Sequence, residues 1–108
     1  MNERSGVPFT VSSIRHRALG KLVGLQFADD FVLRLTPVEA SSISFALVAV
    51  RDGISEEREI YMSPIASDAA FVGSVHDRGV SIATPAGQLE LDWPNVGFLA
   101  EALAAAID

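Results

Sequence analysis

His16 and His76 are the only two imidazoles in this chain, and sixty residues separate them. Imidazole is the side chain best suited to moving protons near neutral pH and to binding metals. His76 has Ser74 two positions before it and Asp77 directly after it. On a strand, Ser74 and His76 would share a face about 7 Å apart, at a rise of ~3.3–3.4 Å per residue. A serine nucleophile needs its base within hydrogen-bond reach, and that spacing exceeds it. Asp77 points to the opposite face of such a strand and does not converge with His76. No serine stands in a glycine-framed elbow, and the glycines are too scattered to cradle a phosphate. No catalytic residues are therefore expected, and His76 is read as an exposed residue at a strand end.

Metal and cofactor sites fare no better. Without cysteine, two distant histidines cannot complete a structural zinc site. Asp29-Asp30 and Glu56-Glu57 lack the regular ligand spacing of a calcium loop. Neither a metal nor a cofactor is expected. Glu56, Glu57 and Glu59 surround Arg58 in a polar stretch. Carboxylates that act as an acid and base pair need environments that separate their pKa values, and water does not. These three are read as an exposed acidic edge, open to a basic partner or guarding a sheet edge against mispairing.

Charge narrows the partners further. Residues 1–21 carry Arg4, Arg15, Arg17 and Lys21 against Glu3, a balance of +3. The remainder carries four arginines against thirteen carboxylates, a balance of −9, so the whole chain stands at −6. An acidic body repels phosphate backbones, so nucleic-acid binding is not expected. The Arg15-His16-Arg17 stretch is read as a solvated turn. The six phenylalanines, Tyr61 and Trp93 fall mostly on faces expected in the core, away from the basic residues, so no stacking platform for bases forms. No uncharged run approaches the ~18 apolar residues of a membrane span, and the N-terminal residues lack the apolar centre of a signal peptide. The absence of cysteine suits a reducing compartment. A cytoplasmic protein is expected. Seven arginines to one lysine, with fifteen alanines, associate it with a GC-rich bacterial genome.

The elements that must position these residues read clearly in places. Val7, Phe9 and Val11 alternate with polar neighbours, as do Val23, Leu25 and Phe27, then Phe31, Leu33 and Leu35. Ala28-Asp29-Asp30 supplies the turn of the second hairpin. Thr36, Pro37 and Glu39 form a helix start: hydroxyl cap, proline in the first turn, and a carboxylate reaching back to the cap. Asp52-Gly53 ends that helix. Ile60 to Met62 suggests a strand. Phe71 to Val75, Val80 to Thr84 and Leu89 to Trp93 alternate around the turns at Asp77-Arg78-Gly79 and Pro85-Ala86-Gly87. Asp92 caps a last helix whose apolar stripe is Val96, Leu99, Leu103 and Ile107. The expected fold is a single α+β domain over residues 7–108, preceded by a flexible segment 1–6. Its order is βββ-α-ββββ-α, a mostly antiparallel sheet of six to seven strands with two helices packed on one face.

The helix over 37–52 carries one anomaly. At 100° per residue, Ala40, Ile43, Leu47, Val50 and Ala46 fill an arc of about 120°, wide enough for a core-facing stripe. Val38, Phe45 and Ala49, with Val48 beyond them, form a second apolar arc where charge would be usual. In the expected arrangement the C-terminal helix lies alongside, and Phe45 and Val38 contact Phe98 or Ala102. In the alternative, Val38, Phe45, Val48 and Ala49 form an interface with a second copy or with another protein. The function expected is a non-enzymatic protein–protein interaction module, self-associating or part of a larger bacterial assembly. The alternatives are an acidic, immunity-type inhibitor that masks a partner's basic surface, and a small enzyme or ligand-binding domain using His16 or His76.

Overall fold

Thr36 starts the first helix as its chemistry dictates. In the computed structural model, which describes residues 8–28 and 31–107, the Thr36 hydroxyl accepts from Glu39 N at 3.2 Å. The Glu39 carboxylate accepts from Thr36 N at 2.9 Å, so the capping box is closed in both directions. Helix α1 runs Pro37–Arg51 and ends at Asp52, followed by Gly53 at φ 75°, a conformation costly for any residue with a Cβ. Glu39 does one thing its position in sequence did not reveal. Its second oxygen accepts from Ile65 N at 3.0 Å and so tethers a distant loop to the helix start.

Strands β1 (Thr10–His16), β2 (Gly20–Ala28) and β3 (Phe31–Leu35) precede α1; β4 (Glu59–Met62), β5 (Phe71–His76), β6 (Gly79–Thr84) and β7 (Gly87–Asp92) follow it, and α2 (Trp93–Ile107) closes the chain. The order is the βββ-α-ββββ-α expected, and all pairings are antiparallel. The segment 1–6 and the turn at Asp29-Asp30 lie outside the described residues.

Two details differ from the expectation. Arg15 and His16 belong to β1 rather than to the turn, because the His16 ring itself caps the turn: Nδ1 accepts from Ala18 N at 3.1 Å and Leu19 N at 3.0 Å. The strands also divide into two sheets, β1-β2-β3 and β4-β5-β6-β7. The outer edge of β3 is met by a serine instead of a strand. Ser67 Oγ accepts from Arg34 N at 2.6 Å and donates to Arg34 O at 3.0 Å, occupying the groups that a pairing strand would use.

One core joins the two sheets. Phe27 of β2 and Phe71 of β5 lie with ring centroids 6.1 Å apart, and Leu25, Leu33, Ile43, Leu47, Ile82, Leu91, Leu99 and Leu103 are essentially inaccessible. Helix α1 packs on β2, β3 and β4, and α2 on β1, β2, β6 and β7, so each helix serves both sheets. The helices touch one another where Ser44 Oγ donates to Ala100 O at 2.8 Å and where Arg51 lies across Gly97. Asp92 caps α2 through Asn95 N at 3.0 Å, and Lys21 Nζ donates to Ile107 O at 2.8 Å at its far end, where a cation suits the helix dipole. No helix among the described residues is long and apolar enough to cross a membrane.

Candidate functional site

Two places carry side chains the fold does not obviously require. The first is on the outer face of the four-stranded sheet. The hairpin registers set Ser74 opposite Ser81 and Ser81 opposite Glu90, so these three share a face, and His76 joins them two residues beyond Ser74. Gly79 allows the close approach behind this array: a Cβ there would run into the Leu91 carbonyl. His76 Nε2 lies 3.0 Å from Ser81 Oγ and 3.0 Å from Glu90 Oε1, while Ser81 Oγ donates to Glu90 Oε2 at 2.7 Å. Arg78 N donates to His76 Nδ1 at 3.2 Å.

That last bond decides the chemistry. With Nδ1 an acceptor, a neutral ring carries its hydrogen on Nε2, and Nε2 is therefore a donor toward Glu90 and Ser81. A serine nucleophile would need Nε2 as an acceptor. Here the serine hydroxyl donates its hydrogen bond to the carboxylate instead. The three residues form a carboxylate held by two donors, a cross-strand clamp joining β5, β6 and β7. The Ser81 hydroxyl is the main reason the Glu90 carboxyl sits below its usual range; partial desolvation opposes it, and the His76 hydrogen bond adds to it. Ser81 is buried, while Glu90 is largely exposed. The spacing along the strand sets Ser74 out of reach of His76, and the partners come from the neighbouring strands as Ser81 and Glu90. The two tight turns at 77–79 and 85–87 were the signal, since counting the register outward from them brings 81 opposite both 74 and 90.

Glu56, Glu57 and Glu59 are all exposed, and residues Ser55–Arg58 with Val75–Asp77 line an open recess of about 380 Å³. Among the described residues, no group of three or more histidine, aspartate or glutamate side chains is placed to hold a metal ion.

The second place is α1. Val38 and Phe45 are each 75% exposed. The expectation that α2 covers them is overturned: α2 meets α1 along the Ser44 and Arg51 side, about a quarter-turn or more away, and Phe98 is itself 47% exposed. The other two members of the second arc are placed differently. Ala49 is buried at 7% because the chain folds back over it, with Ile54 N and Ser55 N donating to its carbonyl at 2.9 and 3.1 Å. Val48 is half-buried against the core. The outward face of α1 thus presents Val38, Ser41, Ser42 and Phe45, with no charge among them. Ile65, tied to the first turn through Glu39, is 74% exposed, and Ile54, just past the last turn, is 77% exposed.

No family model, curated protein or solved structure matches this chain.

Proposed function

We propose that this protein is a non-enzymatic interaction module that meets its partner through the outward face of α1, in the reducing cytoplasm of a bacterium. The observation that carries it is the exposure of Phe45 and Val38 on a helix face that lacks charge. A surface helix ordinarily sets charged residues opposite its buried stripe, and one-fifth of this chain is charged, so suitable side chains are abundant elsewhere. Two large apolar side chains lined up on one exposed helix face support that reading. The absence of cysteine supports the compartment, and the arginine and alanine usage supports the source.

Phe45→Asp tests the reading. Because Phe45 contributes little to the core, the substitution is expected to change stability by less than about 0.5 kcal/mol. It is also expected to abolish chemical cross-linking of the tagged protein to partners in an extract of native cells. An unchanged cross-linking pattern in the folded variant would remove α1 as the contact surface.

A second reading has one observation in its favour. Glu56, Glu57 and Glu59 stand exposed beside the recess on the β4 edge, which suits masking of a basic protein surface. In that case the triple glutamine variant, and not Phe45→Asp, strips the partner.

A further inference from the structure

Residues 63–70 leave the second sheet at the end of β4, reach the edge of β3 in the first sheet, and return to start β5. We propose that this segment is a strap that opens and closes as one unit, latched by Glu39 and Ser67, and that its state decides whether the outward backbone groups of β3 are covered or free.

The edge under the strap is short. Opposed residues of an antiparallel pair alternate between those that bond each other and those whose groups point away. Arg34, opposite Gly24, turns its N–H and C=O outward to Ser67, and Val32 two positions earlier points the same way. Thr36, two positions later, is closed by the helix. Its N–H donates to Glu39 Oε1, and its carbonyl accepts from Ala40 N at 2.9 Å. With the strap shut, only Val32 of these three offers its groups to an incoming strand. With the strap open, Val32 and Arg34 each present a donor and an acceptor, which is the template on which another strand pairs.

The two latches hold the same piece of chain from different elements. Ser67 Oγ accepts from Arg34 N at 2.6 Å and donates to Arg34 O at 3.0 Å. Glu39 gives one oxygen to Thr36 N at 2.9 Å and the other to Ile65 N at 3.0 Å. Between the latches, Ser67 N donates to Pro64 O at 3.2 Å, a turn that makes Ile65 and Ser67 move together. Pro64 is buried and forms the fixed end, while residues 65–70 beyond it are exposed or half-buried. Surface hydrogen bonds on such a segment open at far less cost than the fold itself.

Native-state amide hydrogen exchange, read by NMR, separates one unit from two unrelated bonds. Glutamine at position 39 has one acceptor oxygen where the carboxylate has two. A capping box accepts glutamine, so in Glu39→Gln the helix start keeps its bond and Ile65 N loses its partner. The Ile65 and Arg34 amides are both expected to exchange about tenfold faster in this variant, although the bond between Arg34 and Ser67 is untouched. In Ser67→Ala the Ile65 amide is expected to speed up with Arg34, although Glu39 is untouched. The amides of Ile43 and Leu47, in the buried stripe of α1, should keep their wild-type rates in both variants. If each substitution speeds only the amide at its own bond, the latches are independent and the strap is overturned. Unchanged exchange at Ile65 and Arg34 overturns it as well. So does a rise at Ile43 and Leu47 equal to that at Arg34, because the segment then opens only with the whole fold.

Discussion

At the scale of single residues, Glu90 does the most for its size. It accepts from a buried serine and an imidazole on two neighbouring strands, and these donors favour its ionised form. A carboxyl whose folded pKa lies below its unfolded value adds stability above the unfolded pKa. That contribution is lost as pH falls through the folded pKa. Asp52, held down chiefly by its hydrogen bond to Arg51, acts in the same window. Glu90→Gln is therefore expected to lower Tm relative to the wild type near pH 7. The gap should close as pH drops below the ordinary carboxylate range of about 4. Thermal denaturation at several pH values checks this, and a gap that persists undiminished at low pH would show that the bonds do not depend on the charge. The expected effect is small, because Glu90 is well exposed and solvent screens it. Ser81→Ala separates the two donors: losing the larger one should raise the Glu90 pKa toward its usual value, readable from carboxyl chemical shifts.

At the scale of elements, what could be read from the sequence was what is encoded locally. The capping box at Thr36 and Glu39 involves residues three apart, and both bonds are present as the pattern implied. Thr36→Ala should accordingly cost about 1 kcal/mol, measurable by urea denaturation, since Glu39 N then loses its acceptor. The strand alternation and tight turns likewise gave the hairpins. What could not be read are contacts between distant segments. Ser67 closes the edge of β3 from 33 residues away, and nothing around Ser67 or Arg34 announces it. This bridge occupies the outward N–H and C=O of Arg34 on the β3 edge, where the first sheet ends. Ala49 and Phe45 show the same limit from the other side. Their positions on the helical wheel make them neighbours, yet one is covered by the returning chain at Ile54 and Ser55 and the other is left in water. Which flank of α1 receives α2 is settled by the sheets beneath both helices, and the sequence of α1 does not contain it.

At the scale of the whole molecule, net charge separates the two readings of function by the sign of one response. The radius of gyration is 13.1 Å. At 0.01 M salt the screening length is about 30 Å, so every charge on one copy is felt by the next; at 1 M it is ~3 Å and only touching charges matter. Two −6 chains joining through an uncharged helix face gain nothing from their charges and are opposed by them at a distance. Raising salt removes that opposition and leaves the burial of Phe45 and Val38 intact. For a second copy on that face, association should therefore strengthen with salt, seen as a larger weight-average mass in sedimentation equilibrium. An acidic edge at Glu56, Glu57 and Glu59 gripping a basic protein behaves oppositely, because screening weakens the attraction that holds it. The same titration, from low to high salt, thus gives a rise for one occupant and a fall for the other. A dimer that falls apart as salt rises cannot be held by the face of α1, since that face has no charge to screen.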